Sequence, residues 1–253
     1  MDTEKLKKYW KSEEQLAHIH GWDFSHIDGR YIQQNPPWDY KKIIFSYLKT
    51  DDMLLDIDTG GGEFLLSLNH SHCLTSATEG YSPNVELCKK ILIPLGINFK
   101  ESSDYSNIPF ENNKFNIVIN RHGNYDISEI YRVLKPNGIF ITQQVGEDND
   151  REFVKLLMPN EKKKFNGANL YTQKQLFIKN GFSILQSSEA FCPMKFYDIG
   201  ALIWFAKIIE WEFPNFSVDT CFKQLLKAQA LLNKNGFISG TAHRYLIVAK
   251  KSV

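Results

Sequence analysis

The chain lacks several features that would direct its reading elsewhere. Its four cysteines, Cys73, Cys88, Cys192 and Cys221, form no CxxC pair. That argues against a metal site, and suits free, mostly buried thiols in a reducing compartment. No apolar run is long enough to cross a bilayer, and the start, Met1-Asp2-Thr3-Glu4-Lys5, has no apolar core of the signal-peptide kind. Neither sign of charge dominates: 30 Lys and Arg face 29 Asp and Glu, a net charge of +1. Such balance leaves no broad electrostatic footprint for nucleic acid. There are no internal repeats and no low-complexity linker. A cytoplasmic protein is the expectation.

What remains is an ordinary globular composition, 43% hydrophobic and 23% charged over 253 residues. It suits one α/β domain with an elaboration. An aromatic, helical N-terminal segment runs to about Phe45. It is broken at Asn35-Pro36-Pro37 and resumes as a helix at Trp38–Leu48. Strands then alternate with helices. Met53–Ile57, Leu74–Glu79, Asn98–Ser102, Phe115–Asn120 and Ile139–Val145 read as strands. Glu63–Asn69, Ser82–Leu95 and Ile127–Leu134 read as helices between them. Such alternation implies right-handed βαβ units and a parallel sheet. Beyond it come helices at Asp150–Met158 and Thr172–Asn180, a strand at Phe182–Phe191, a mostly helical stretch at 197–240, and a last strand at His243–Lys250.

The most informative segment is Leu54-Leu55-Asp56-Ile57-Asp58-Thr59-Gly60-Gly61-Gly62-Glu63. An apolar strand enters a glycine turn that opens a helix, so backbone N–H groups approach a ligand at the carboxyl edge of the sheet. A dinucleotide fingerprint needs Gly-x-Gly-x-x-Gly. Leu65 stands at its third position, which speaks against nicotinamide or flavin. The loop resembles the cofactor loop of class I S-adenosylmethionine (SAM) methyltransferases, acidic-x-Gly-x-Gly-x-Gly, with Asp58 in place of the first glycine.

Other motifs extend the resemblance from about Trp38 to the end. Glu79, closing the second strand, matches the acid that receives the ribose hydroxyls. Asp104-Tyr105-Ser106-Asn107-Ile108-Pro109-Phe110 resembles Asp-x-x-x-Leu-Pro-Phe, whose acid accepts from the adenine amino group. Phe115–Ile119 is similar to a Phe-Asp-Val-Val strand, and Arg132–Gly138 to Arg-Val-Leu-Lys-Pro-Gly-Gly. The pattern is most like small-molecule methyltransferases of the quinone-biosynthesis type. The resemblance implies a Rossmann-like, seven-stranded, mostly parallel sheet whose last strand pair is antiparallel. It divides the chain into a helical cap at 1–45 and a SAM-binding domain at 46–253, with a helical insertion at about 197–240.

The implied cofactor residues are Asp56, Asp58, Thr59, Gly60, Gly61 and Gly62 for the methionine part, and Glu79, Gly80 and Tyr81 for the ribose. Asp104 and Tyr105 fall to the adenine, and Asn120 and Arg121 to the edge near the methyl group. His122 is the candidate general base, against a simpler role lining the pocket. Trp38, Gln144, Tyr197 and Trp204 are candidate acceptor contacts. Trp10, Trp22 and Trp211 are further aromatics, and such rings are more often core between cap helices and sheet. No metal site is expected. Asp58 has three readings: it faces the cationic part of the cofactor, it crowds the cofactor carboxylate, or it points away. Asn35-Pro36-Pro37-Trp38 matches a motif of base-flipping amino-methyltransferases, but it follows no convincing core strand. The expectation is therefore methyl transfer to O, N or C of a small molecule, with no oligomeric state assigned. RNA or protein methylation, or a non-catalytic SAM-fold partner protein, are the alternatives.

Overall fold

A computed structural model describes residues 3–18 and 23–252, so Trp22 lies outside the described residues. Among those residues the strands form one eight-stranded sheet, ordered β1-β7-β8-β6-β5-β2-β3-β4. The strands are β1 (Tyr31–Gln33), β2 (Leu54–Ile57), β3 (Thr75–Glu79), β4 (Asn98–Glu101), β5 (Phe115–Arg121), β6 (Leu134–Val145), β7 (Phe182–Phe196) and β8 (Ile238–Lys251). The chain divides into two compact units, and β7 and β8 each contribute residues to both.

The larger unit holds residues 37–146, 167–189 and 244–253. Strands β2 through β6 pair in parallel, and β8 runs antiparallel to β6. Both faces are covered, and the side-chain period of two shows why. Leu54, Ile117, Ile119, Ile141, Leu246 and Val248 point to one face, where Tyr40, Ile44, Leu65 and Cys88 meet them. Those four come from α2 (Tyr40–Tyr47), α3 (Glu63–Ser67) and α4 (Ser82–Ile91). Leu55, Val118, Phe140 and Ile247 point the other way, onto Ile130, Val133 and Phe177. These belong to α5 (Ile127–Val133) and α7 (Leu170–Lys179). Side-chain caps set the helix starts: Asp39, Asp126 and Asn169 each accept a backbone N–H of the first turn.

The smaller unit holds residues 3–18, 23–36, 147–166 and 190–243 among those described. Its core joins α1 (Thr3–Gln15), α6 (Arg151–Leu157), α8 (Ile199–Ile208) and α9 (Phe222–Asn235) around Trp10, Phe153, Phe196, Trp204 and Leu225. Arg30 ties it together. Its guanidinium donates to both carboxylate oxygens of Asp198 at 2.9 and 2.8 Å, and to Glu13 Oε1 at 2.9 Å.

Three expectations change. The N-terminal segment is not wholly helical, because β1 pairs antiparallel with Phe196, Lys195 and Met194 of β7. It raises the strand number from seven to eight among the described residues. Being three residues long and largely exposed, it carries no periodic signal. The strand expected at Ile139–Val145 begins at Leu134, so Pro136-Asn137-Gly138 lies within β6, as a shift of register between Phe115 and Ile117 of the partner. The last two strands start or end well beyond 182–191 and 243–250.

Candidate functional site

In the order above, β2 lies between β3 and β5, where the direction of winding reverses. A crevice forms there at the carboxyl ends of parallel strands. Into it runs the loop 58–62, with positive φ at Asp58 (54°), Gly60 (67°) and Gly62 (86°). Aspartate is among the few non-glycine residues that adopt this region readily. At Gly62 glycine is required on two counts, since a Cβ there would also lie 2.9 Å from Leu92 Cδ2. At Gly60 an added Cβ would meet nothing within 4 Å, so this side of the loop is open to a ligand.

The loop is braced from below. Thr59 donates its hydroxyl to Asp56 Oδ2 at 2.7 Å and its N–H to Thr78 O at 3.0 Å. Both Asp56 and Thr59 are buried, so they shape the cradle from underneath. Burial, opposed by the Thr59 bond and Arg121, pushes Asp56 up to about 7. Glu79 connects the loop to β3. Its Oε2 accepts the Gly60 N–H at 2.8 Å, and its Oε1 accepts those of Gly80 and Tyr81 at 2.9 Å each. A carboxylate has about four lone-pair sites, so capacity remains for a hydroxyl donor. Gly80 is fixed by packing, as a Cβ there would fall 2.7 Å from both Ser102 O and Ser103 Cα. Tyr81 is 65% exposed.

Beyond β4, Asp104 Oδ1 accepts from Ser106 N at 2.9 Å and Ser106 Oγ at 2.6 Å. This turn leaves Oδ2 without a hydrogen bond from any described residue. Tyr105 crosses to the glycine loop and donates its hydroxyl to Asp58 Oδ2 at 2.9 Å. The N–H of Asn124 meets the same oxygen at 3.2 Å. Asp58 thus turns toward the loops after β4 and β5.

At the end of β5 the expectations separate. Arg121 is exposed, and its guanidinium lies 4.4 Å from the centre of the Phe64 ring in the first turn of α3. Asn120 is fully buried and was expected to meet the cofactor. Its Nδ2 instead donates to Ile57 O at 3.0 Å, and its Oδ1 accepts from Gln144 Nε2 at 2.5 Å. Gly123 O at 3.1 Å and Thr142 Oγ1 at 2.8 Å also lie within reach of Gln144 Nε2, which shares its two hydrogens among the three acceptors. Both side chains brace β2, β5 and β6 against one another.

His122, the candidate base, adopts positive φ (65°) and donates its N–H to Gln143 O. Trp38 Nε1 donates to Gln143 Oε1 at 2.8 Å, which turns the Gln143 amide nitrogen to His122 Nε2 at 3.0 Å. His122 Nε2 is therefore an acceptor already in use. The residue keeps surface exposure. Even so, the packing around its ring, followed by Arg244 and Arg121, lowers its pKa well below the usual histidine value. Trp38 takes part in this relay. Trp204 is 1% exposed within the core of the smaller unit and donates to Leu16 O at 3.2 Å, so it lines no open pocket. Tyr197 is in that unit too, with its N–H on Arg30 O. The Asn35-Pro36-Pro37 segment follows edge strand β1.

Sequence reasoning missed Tyr40. It is buried in the first turn of α2, and its hydroxyl lies 3.0 Å from both Asn120 O and Ile141 O, shares its one proton between them and links β5 to β6 at the site. Its helical spacing marks it only as core. Gln143 and Asn124 were also missed, since their roles depend on partners far along the chain.

Residues 55–142 match the family model described as a methyltransferase domain. The match runs from the strand before the glycine loop through β5 to the middle of β6. Over these residues the chain carries a SAM-dependent methyltransferase domain. No curated protein matches at the sequence level. Among solved structures, the domain is similar to a Bacillus halodurans protein assigned as a methyltransferase. Identity is 18% and the TM-score 0.59, over 85% of this chain and 99% of that one. YcgJ of Bacillus subtilis gives 20% identity and a TM-score of 0.57, over 85% and 98%. A SAM-dependent methyltransferase of Methanosarcina mazei gives 17% and 0.51, over 88% and 100%. At these identities the likeness is one of fold. The cofactor of the methyltransferase domain is SAM. The open face at Gly60, the remaining acceptor capacity of Glu79 and the unused oxygen of Asp104 suit its ribose and adenine. No helix among the described residues is long and apolar enough to cross a membrane.

Proposed function

We propose that this methyltransferase acts on a small-molecule acceptor, with the loop 58–62, Glu79 and the 104–105 turn holding SAM. The observation that carries the reading is Glu79, whose carboxylate joins the glycine loop to β3 and keeps a lone pair for a ribose hydroxyl. The bound cofactor supplies an activated methyl group on a sulfonium. The protein's part is to orient and to shield. Loop N–H groups and Glu79 fix the nucleoside, and Arg121 beside α3 offers a cation for the amino-acid carboxylate. Tyr40 and the Asn120–Gln144 pair keep the strand ends rigid.

His122 is not assigned as a general base. Its Nε2 is engaged by Gln143, and its low proton affinity makes it a poor acceptor at neutral pH. Its role is to order the Trp38–Gln143 edge of the site. Positioning for in-line attack then supplies most of the acceleration. Near-neutral charge favours a small acceptor over RNA.

Transfer of labelled methyl from SAM tests this reading. The full chain is incubated with separate small-molecule, RNA and protein fractions of a cell extract. Label in the small-molecule fraction is expected. Label confined to RNA or protein refutes the acceptor class. SAM binding without transfer to any fraction supports a non-catalytic role.

A further inference from the structure

Asp58 is the one loop residue that departs from the glycine pattern, and methyl transfer as described leaves it unused. The site is built to accommodate it. A Cβ at position 123 would fall 2.5 Å from Asp58 Cβ, so glycine there makes room for the carboxyl group. Tyr105 and Asn124 both donate to Oδ2, at 2.9 and 3.2 Å. Oδ1 accepts no hydrogen bond from any described residue. An oriented carboxylate thus keeps one oxygen free in the loop that holds the cofactor.

We propose that Asp58 selects the cofactor by charge, favouring the sulfonium that enters over the neutral thioether that leaves. The inference rests on the reading of 58–62 as the cofactor cradle. In the transfer, a lone pair of the acceptor forms the new bond to the methyl carbon. The electrons of the broken S–CH3 bond stay on sulfur, and any acceptor proton passes to water. The cofactor therefore loses one positive charge. A carboxylate on the cradle interacts favourably with the first state and not with the second. Screened by water to an effective dielectric of about 40–60 over roughly 4–6 Å, one such charge difference changes relative affinity by roughly tenfold.

The neighbouring groups bear on this. Glu79 from β3 adds negative charge beside Asp58, Asp56 from β2 is held mostly protonated below about pH 7 by its burial, and Tyr105 and Asn124 donate to Asp58. Burial, with Glu79 adding to it, raises Asp58 to about 6 against the pull of Tyr105 and Asn124. Part of the free protein then holds a proton here near pH 6, and a cationic ligand expels it. The neutral thioether does not.

Calorimetric titration of the full chain with SAM and with S-adenosylhomocysteine tests the proposal. It uses the wild type, Asp58→Asn and Asp58→Gly at pH 6 and 7.5, in buffers of different ionisation heat. The wild type is expected to prefer SAM by roughly tenfold and to release protons on binding SAM at pH 6. Both variants should lose most of that preference through weaker SAM binding, and lose the proton release. Equal changes for both ligands, or an unchanged ratio, overturn the proposal and leave the cradle standing. A wild type that binds neither ligand overturns the cradle and the proposal together. If the Asn variant fails to fold, the Gly variant decides, because φ of 54° suits glycine.

Discussion

Replacing Glu79 by glutamine removes one of the two oxygens that tie the glycine loop to β3. In the native site the carboxylate receives three backbone N–H groups, at 2.8, 2.9 and 2.9 Å, with the residue 5% exposed. Glutamine keeps one acceptor oxygen. The arrangement that loses least leaves that oxygen on Gly80 and Tyr81 and turns the amide nitrogen toward the Gly60 N–H. Two donors then face each other, and the other two bonds lose their charge assistance. Hydrogen bonds to charged groups contribute about 1.5–3 kcal/mol each, and a buried unsatisfied donor costs about 1–3 kcal/mol. The expected loss is about 2–4 kcal/mol in the ligand-free protein. At this chain length, each kcal/mol lowers Tm by about 2–4 °C. Amide hydrogen exchange gives the sharper assay. Protection at Gly60, Gly80 and Tyr81 should fall by roughly 30- to 1000-fold, and that of core amides in β5 and β8 by no more than the change in global stability. Unchanged protection at Gly60 together with an unchanged Tm would falsify the idea that Glu79 supports the loop.

Two further perturbations probe the buried charges. Burial raises Asp56 to about 7, so the folded chain holds its proton more tightly than the unfolded one from about pH 4 to 7. Stability from this group is present at low pH and lost as pH rises through that window. Asp56→Asn should therefore gain on the wild type at pH 8, by at most about 4 kcal/mol, and gain nothing at pH 4. Parallel urea-melt stabilities across that range refute the reasoning. Arg30→Met leaves Glu13 and Asp198 without their shared cation, and should cost about 2–3 kcal/mol at pH 7 after allowance for partial exposure. Burial opposes ionisation of both acids, but the bonds from Arg30 outweigh it and hold their pKa values below the usual range. The gap between variant and wild type should therefore close as pH falls through those lowered values. A gap that stays constant down to pH 2 counts against the ion pairs as its cause.

The sequence alone determined the elements whose cause is local. Alternation of strands with helices implied the parallel sheet, because side-chain period and capping residues act within a few positions of the chain. Leu54 and Leu55 mark both faces of β2, and Asp39, Asp126 and Asn169 mark helix starts. The glycine loop and Glu79 were legible for the same reason, since strand-end positions follow once the strands are placed. Tertiary structure decided where each side chain points and what it meets. Asn120 and Gln144 sit at strand ends that suited a ligand, yet bond to each other. His122 has the right chemistry for a base, yet its ring nitrogen is engaged by Gln143. Trp204 belongs to a core that forms only when α1 meets α8. Strand β1 exists because Met194–Phe196 lies beside it. Asp58, read from sequence, had three readings. Its partners are 47 and 66 residues away, at Tyr105 and Asn124, and no local pattern encodes contacts across that separation. Local propensity chose the elements, and long-range packing chose the roles of the residues between them.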